Sequence, residues 1–248
     1  MLRESNNPTD PIPEDVARVA ELMSKFGHPW ALAGGWAVDA WLGRLTREHG
    51  DVDLAVFDQQ PLFELLAGWQ LIAHEETKAN EDADLWGGRP LVLPAHIHAR
   101  SPERTGPLPE RFDPSGMRIV SVNDGFGLDI QLAERSGGDW VLNSEPRVVM
   151  PLASCIQQSS WGLPMVAPEV ILFFKATLYV GTKNHLRPRD EADFVALLPL
   201  ITDEQRAWLR QAVLRVYLGG SVGGAAVRLA FGAGYAQIVG PRVTARLA

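Results

Sequence analysis

The sequence predicts an α/β (α+β) protein in which a small mixed sheet is flanked by helices and followed by a helical C-terminal part. Three patterns predict this class. Helix and strand periodicities alternate over residues 1–70, short apolar segments separated by Gly, Pro and Asp fill residues 70–150, and helical periodicity dominates from about residue 167. We therefore predict two domains, comprising residues 1–160 and 161–248.

The first 70 residues are predicted to run helix, strand, helix, strand, helix. Apolar residues recur at helical spacing after Pro13, and Glu14 and Asp15 suit the first turn of that helix. A short apolar strand then ends at a glycine pair, Gly34-Gly35. The predicted elements are a helix over 13–26, a strand over 30–33, a helix over 36–42, a strand over 51–57 and a helix over 60–69.

The middle of the chain is predicted to continue the sheet with hairpins at 123–125 and 136–138, where Gly follows or accompanies Asp, Asn or Ser. The predicted strands are 70–74, 90–93, 96–99, 117–122, 128–132 and 140–142. The C-terminal part is predicted to be helical over 168–180, 189–198, 202–217 and 222–231.

Composition excludes several classes of protein. No apolar run among the 248 residues reaches the length that a membrane-spanning helix needs, and the polar, Pro-rich start does not resemble a signal peptide. A single cysteine, Cys155, excludes an internal disulfide framework and predicts a reducing, cytoplasmic location. The formal net charge of −7 disfavours a broad grip on nucleic acid and is compatible with a cationic small molecule as the ligand.

Asp51 and Asp53 are candidate metal ligands. Alternate residues of a strand face the same side, so the two carboxylates can converge on divalent cations. Mg²⁺ suits such a site because it prefers hard oxygen ligands and substrate phosphates. The alternative is a pair of exposed aspartates at a strand edge.

The Gly34-Gly35 turn is a candidate anion site. It joins a predicted strand to a predicted helix, so its backbone N–H groups and the helix N-terminus can face a phosphate. The alternative is an ordinary tight turn. Neither the dinucleotide-binding pattern G-x-G-x-x-G nor the P-loop pattern is present here.

Taken together, these motifs resemble those of the antibiotic-type nucleotidyltransferases, which include lincosamide and some aminoglycoside nucleotidyltransferases and are related to the DNA polymerase β-like superfamily. The match is close over residues 30–57 and returns in two later segments. The matching motifs are Gly34-Gly35-Trp36-Ala37-Val38-Asp39, Leu42-Gly43-Arg44, Thr46-Arg47-Glu48-His49, Asp51-Val52-Asp53-Leu54-Ala55-Val56, Ala167-Pro168-Glu169-Val170 through Lys175, and Arg187-Pro188-Arg189-Asp190-Glu191-Ala192-Asp193-Phe194.

The resemblance implies a nucleotidyltransferase fold and a Mg²⁺-dependent enzyme. It implies transfer of a nucleoside monophosphate, AMP from ATP, to a hydroxyl of a small lincosamide- or aminoglycoside-type acceptor. Asp51, Asp53 and Asp129 would be the catalytic and metal-binding residues, with Glu134 as the other candidate for the third acid. The implied nucleotide-binding residues are Gly34, Gly35, Arg44, Arg47, Lys175 and Arg187.

Several alternatives stay open. Many polymerase β-like enzymes carry Gly-Ser at the phosphate turn, whereas this chain has Gly34-Gly35, so phosphate binding there would rest on backbone amides. The acceptor could instead be a protein or RNA, as in toxin–antitoxin nucleotidyltransferases, or the chain could be a non-catalytic nucleotide-binding module. The Gly/Ala-rich tail could pack a homodimer or close the helical cap.

Two weaker features have a predominantly structural interpretation. His96 and His98 have the spacing of two metal ligands on one strand face, but a packed or solvated pair is the favoured interpretation. Glu75, Glu76, Glu81, Asp82 and Asp84 form an acidic stretch. Such a stretch is usually a solvated loop, and the alternative is the lining of a pocket for a cationic acceptor.

Overall fold

A mixed β-sheet lies at the centre of this computed structural model, which describes residues 11–75, 84–104, 127–144, 147–177 and 187–219. Within these ranges eight strands pair in the order β10-β11-β1-β2-β6-β5-β3-β4, and three more form a separate sheet in the order β7-β8-β9. The strands are β1 Trp30–Leu32, β2 Val52–Val56, β3 Gln70–Glu75, β4 Asp84–Leu85, β5 Ala95–Arg100, β6 Gly127–Leu132, β7 Glu134–Ser136, β8 Asp139–Asn143, β9 Val148–Pro151, β10 Ile156–Gln158 and β11 Pro164–Val166.

Helices flank the main sheet and form most of the described C-terminal part. Helix α6 packs on α2, and α5 packs on α7. Apolar side chains of the sheet and the helices form one continuous buried core. The helices are α1 Glu14–Met23, α2 Gly34–Leu42, α3 Gln59–Leu65, α4 Leu152–Cys155, α5 Pro168–Thr177, α6 Pro188–Leu197 and α7 Asp203–Gly219.

Two parallel pairings organise the main sheet. Strand β1 pairs in parallel with β11, and β2 pairs in parallel with β6, while the remaining neighbours in this sheet are antiparallel. Strand β11 follows residue 160 and nevertheless joins the sheet beside β1. The predicted division into residues 1–160 and 161–248 stays a prediction.

The predicted α/β class is confirmed, as is the hairpin at 136–138. Strands β7 and β8 meet at that hairpin, where Gly137 has a φ of +64°. The predicted helices and strands of the first 70 residues are also present, with ends shifted by a few residues. The strand predicted over 117–122, the hairpin at 123–125 and the helix over 222–231 lie outside the described residues.

The strand predicted over 90–93 is wrong. This segment is an extended loop, because Pro90 has no backbone donor and side chains accept the N–H groups of the next two residues. The N–H of Leu91 donates to Gln59 Oε1 at 2.8 Å, and the N–H of Val92 donates to Glu75 Oε1 at 2.7 Å. Glu75 is buried and also pairs with Arg89 at 3.2 Å, so it anchors this loop.

Within the described ranges, no helix has the length and apolar character needed to cross a membrane.

Candidate active site

Asp53 and Asp129 lie directly opposite each other on the neighbouring parallel strands β2 and β6. Asp51 comes just before β2, two residues from Asp53, so its carboxylate starts from the same face of the sheet. The next strand, β5, places His98 directly opposite Asp129. His96, two residues before His98 in β5, shares its face, so the sheet assembles three carboxylates and two imidazoles on one side.

Nearby positive charges do not fully compensate the negative charges of Asp51 and Asp53. Burial, together with the negative charges of Asp129 and Asp51, raises the pKa of Asp53 to about 7. Burial and the charge of Asp129 also raise the pKa of Asp51. Asp129 differs, because His96 and His98 outweigh its burial and hold its pKa below the ordinary value. The cluster thus favours a cation at Asp51 and Asp53.

Gly34 is the first residue of α2 and has a φ of +55°, in the left-handed region that favours glycine. A Cβ atom at this position would collide with the carboxylate of Asp53. A hydrogen bond from the Gly35 backbone lowers the pKa of Asp53, although the raising effects are larger. The turn therefore brings the N-terminus of α2 directly against the carboxylate cluster.

Gly35 is needed for a different close approach. A Cβ atom there would collide with Arg47 Nη2 and would lie 2.7 Å from Nδ1 of His49. Arg47 Nε is buried and has no hydrogen-bond partner among the described residues. The predicted phosphate ligand Arg47 is thus at the predicted anion turn, and its guanidinium keeps unused donor capacity there.

A buried hydrogen-bond network centred on Asp39 holds the segment that connects α2 to β2. Asp39 is fully buried in α2, and its carboxylate receives Thr46 Oγ1 at 2.5 Å and lies 2.6 Å from His49 Nε2. Burial raises the pKa of Asp39, but these two hydrogen bonds hold it below the ordinary value. The Trp36 ring packs on the His49 ring at 4.3 Å between centroids, and its Nε1 donates to the Asp51 carbonyl oxygen. His49 therefore holds the connection to β2 in place.

Lys175 of α5 is held by two buried aspartates of α6. Its Nζ lies 2.9 Å from Asp190 Oδ1 and 2.7 Å from Asp193 Oδ2. Asp190 also receives Arg187 Nε at 2.6 Å, and Asp193 lies 3.8 Å from Arg47 Nη2. The positive charge of Lys175 lowers the pKa of Asp53, so this network acts on the carboxylate cluster.

Arg44 and Glu134 lie elsewhere. Arg44 is exposed just beyond the end of α2, and Gly34 at the other end contacts Asp53, so about 13 Å of helix separates them. Glu134 is in β7 of the separate three-stranded sheet, where Ser144 Oγ donates to it at 3.4 Å. Of the two candidates for the third acid, the structure places Asp129 opposite Asp53.

The roles of the predicted site residues as ligands of a metal ion or a nucleotide stay predictions. Six of these residues lie close together in the structure, namely Asp51, Asp53, Asp129, Gly34, Gly35 and Arg47. Lys175 is connected to Arg47 by ion pairs with Asp193, and Arg187 is connected to Lys175 by ion pairs with Asp190. Among the described residues, no group of three His, Cys, Asp or Glu side chains is already arranged to hold a metal ion. Mg²⁺ commonly binds through one or two carboxylates and takes its other ligands from water and substrate phosphates.

Sequence reasoning missed the roles of Asp39 and Asp193 as partners of functional side chains. For Lys175 and Arg187, an ion pair with Asp190 or Glu191 is the alternative role that the sequence allows, and the structure shows the pairs with Asp190. Asp39, Asp190 and Asp193 are almost completely buried, which is rare for aspartate unless it is paired. A signal was present for two of them, because Asp190 and Asp193 are three residues apart in a helix and therefore share a face. The His96–His98 spacing was visible, but its relation to Asp129 was not.

Comparison with known proteins concerns the family and the fold of this chain. Residues 15–85 match the model of the aminoglycoside-2''-adenylyltransferase family. The solution structure of the antibiotic-resistance factor ANT(2'')-Ia is similar, with a TM-score of 0.52 at 15% identity over 82% of this chain and 91% of that chain. The lincomycin-bound crystal structure of the lincosamide antibiotic adenylyltransferase LnuA has a TM-score of 0.47 at 17% identity, over 77% of this chain and 100% of that chain.

No curated protein matches the chain significantly. At 15% identity, the likeness to ANT(2'')-Ia shows a shared fold and no more. The predicted nucleotidyltransferase fold is thereby confirmed. Through residues 15–85 this chain is similar to the aminoglycoside-2''-adenylyltransferase family, which confirms the resemblance to antibiotic-type nucleotidyltransferases and the prediction of a nucleotidyltransferase enzyme.

Proposed function

We propose that this chain is a Mg²⁺-dependent adenylyltransferase that moves AMP from ATP to a hydroxyl of a small antibiotic-like acceptor of lincosamide or aminoglycoside type. The observation that carries the proposal is the pairing of Asp53 with Asp129 across β2 and β6, with Asp51 beside them. The match of residues 15–85 to an adenylyltransferase family supports the choice of the transferred group.

The carboxylates fit a divalent cation. Burial and the negative charges of Asp129 and Asp51 raise the pKa of Asp53, and the positive charge of Lys175 does not offset them. A divalent cation would supply the missing positive charge. Asp51, Asp53 and Asp129 would hold Mg²⁺, which would neutralise the charge of the phosphates when bound.

The remaining chemistry falls to side chains of this chain. Asp129 takes the proton of the acceptor hydroxyl, since its lowered pKa keeps the carboxylate ionised. The freed oxygen forms a bond to the α-phosphorus as the bond from that phosphorus to the pyrophosphate oxygen breaks, and pyrophosphate leaves with the electron pair. Arg47 and the N-terminus of α2 bind the phosphates and orient them for this displacement.

The test is product analysis by mass spectrometry with ATP, Mg²⁺ and a panel of lincosamides and aminoglycosides. We expect an acceptor heavier by one AMP unit, together with release of pyrophosphate. Asp53→Asn should abolish the product. Asp58→Asn, which alters an aspartate paired with Arg135 at 3.0 Å outside the cluster, is the matched control and should leave turnover intact.

Full turnover by Asp53→Asn would contradict the carboxylate assignment. Transfer of AMP to a protein or RNA, with no change in any small acceptor, would support the toxin–antitoxin alternative instead. The homodimer and the cytoplasmic location stay predictions, and the mass of the protein in solution tests the first of them.

A further inference from the structure

His98 lies next to Asp129 on the face of the sheet that carries the carboxylates. Strands β5 and β6 place the two residues directly opposite each other, and Nδ1 of His98 is 3.9 Å from Oδ1 of Asp129. The His98 side chain is only 9% exposed, and that of Asp129 is 20% exposed. The closely packed strands on both sides therefore fix the separation of the two atoms.

Neither atom has a partner within hydrogen-bonding geometry in the part of the chain that the structure describes. His98 Nδ1 and Asp129 Oδ1 are buried, and the imidazoles of His96 and His98 face Asp129 Oδ1 at 3.9 Å, where they lower the pKa of Asp129. Most buried polar atoms in folded proteins have a protein or water partner, so two unsatisfied atoms side by side are available to bind one polar group together. At 3.9 Å they are too far apart to bond each other.

The gap between the two atoms fits one oxygen atom. An oxygen atom about 2.8 Å from both His98 Nδ1 and Asp129 Oδ1 would form an Nδ1···O···Oδ1 angle of about 90°, which is compatible with a hydroxyl group that makes both hydrogen bonds. A hydroxyl has one hydrogen to donate and two lone pairs with which to accept. It can therefore donate to the carboxylate and accept from the imidazole at the same time.

We propose that His98 is a further catalytic residue, whose Nδ1–H donates a hydrogen bond to the acceptor hydroxyl while Asp129 Oδ1 accepts the proton of that hydroxyl. The inference rests on the proposed function. One lone pair of the oxygen is held by His98, and the other forms the bond to the α-phosphorus. The proton moves to Asp129, and pyrophosphate leaves with the electron pair of the broken bond. His98 neither gains nor loses a proton.

The neighbouring His96 does not take this role. Its Nδ1 also lies 3.9 Å from Asp129 Oδ1, but its side chain is 24% exposed, and it has further interactions of its own. His98 is therefore the more buried histidine beside the base, and its Nδ1 has no hydrogen bond among the described residues.

Two substitutions separate hydrogen bonding from packing. The amide of asparagine can take the place of histidine Nδ1, whereas the amide of glutamine reaches the place of Nε2. We expect His98→Gln to lower kcat/KM for the acceptor about 100-fold, and His98→Asn to keep it within about 5-fold of wild type. KM for ATP should stay unchanged in both variants. His28→Gln, at a half-exposed histidine paired with Asp58, is the matched control and should leave every constant unchanged.

A second measurement uses the wild-type protein, so it does not depend on whether the variants fold. In wild-type protein labelled with ¹⁵N, adding the acceptor with a non-hydrolysable ATP analogue and Mg²⁺ should shift the His98 Nδ1 resonance and leave that of His28 in place. Normal acceptor kcat/KM in His98→Gln, or no shift of His98 Nδ1, would overturn the assignment while the proposed function stands. A wild-type protein that transfers AMP to no small acceptor would overturn the proposed function and the role of His98 with it.

Discussion

Asp53 and Asp129 face each other across a parallel pair of strands, although the chain passes through β3, β4 and β5 between them. Their proximity raises the pKa of Asp53 to about 7, with burial as the larger cause. In water-poor surroundings two like charges repel strongly, so the fold maintains this pair at a cost in stability. The cost is understandable if the pair serves a cation-dependent reaction.

The first prediction concerns stability in the absence of metal. A pKa raised from 3.8 to about 7 means that Asp53 lowers stability progressively as the pH rises through about 7 and has no such effect below its unfolded pKa. Asp53→Asn should therefore be more stable than wild type at pH 8, by at most about 4 kcal/mol, and equally stable at pH 4. Urea unfolding in EDTA at both pH values measures this.

Added Mg²⁺ should raise the stability of the wild-type protein at pH 8 and should have little effect on Asp53→Asn, because ligand binding to the folded state stabilises it. Asp58→Asn is the control, and its response to Mg²⁺ should match that of wild type. A destabilised Asp53→Asn at pH 8 would show that the neighbouring charges do not oppose ionisation of Asp53.

The second prediction concerns the turn before α2. Gly34→Ala should remove nearly all transferase activity, since the new methyl group would collide with the Asp53 carboxylate. Displacement of a catalytic group by about 1 Å can cost about 100-fold in rate. The steady-state rate with saturating ATP measures this effect.

Gly68→Ala provides the matched control for Gly34→Ala. Gly68 also has a positive φ, +85°, but a Cβ there meets nothing within 4 Å. This variant should lose about 1–2 kcal/mol of stability from backbone strain and keep its activity. Equal activity in the two alanine variants would contradict the close approach of Gly34 to Asp53.

The third prediction concerns the ion-pair network between α5 and α6. Lys175→Met should destabilise the protein by about 3–5 kcal/mol, because it removes a cation shared by two buried carboxylates, Asp190 and Asp193. Urea unfolding at pH 7 measures the loss. Arg135→Met breaks the more exposed pair with Asp58 and should cost no more than about 1 kcal/mol. A small loss in Lys175→Met would mean that Lys175 is not needed to hold these helices together.

The fourth prediction uses the buried Glu169 of α5. Burial raises its pKa, and one carboxylate oxygen accepts Gln205 Nε2 at 2.8 Å while the other has no hydrogen bond within the described ranges. A raised pKa means that this residue lowers stability as the pH rises through its folded-state pKa. Glu169→Gln keeps the acceptor for Gln205, so it should raise the melting temperature at pH 8 by more than it does at pH 5.

Glu103→Gln, at an exposed residue that pairs with Arg18 at 3.9 Å, serves as the control for Glu169→Gln. Its melting temperature should follow that of wild type at both pH values, because substitutions at exposed positions usually change stability by less than about 0.5 kcal/mol. A gain at Glu169→Gln that is the same at pH 5 and pH 8 would exclude ionisation as its cause.

Local patterns predicted most elements of the first 70 residues. The alternation through Asp51 and Asp53 predicted β2, and the glycine pair predicted the turn into α2, because both signals depend on neighbours in the chain. The short strands β9, β10 and β11 were not predicted. Each has three or four residues, too few for a period to emerge, and β10 and β11 take their places through pairing in the main sheet.

Pairing between distant segments of the chain also decides two features of the candidate site that the sequence left open, the position of the third acid and the partners of Lys175. Asp129 and Glu134 were both candidates for the third acid, and only the register of β6 against β2 places Asp129 opposite Asp53. Lys175 has the type and position of a phosphate ligand, yet its partners Asp190 and Asp193 are set by the packing of α6 against α5.

The sequence by itself determined the resemblance to antibiotic-type nucleotidyltransferases, the glycine turn and the shared face of Asp51 and Asp53, since each depends on residues close together in the chain. Only the tertiary structure decided that Asp129 and His98 complete that face. Strand register depends on the packing of the whole sheet, and no local pattern in one strand contains the position of its partner.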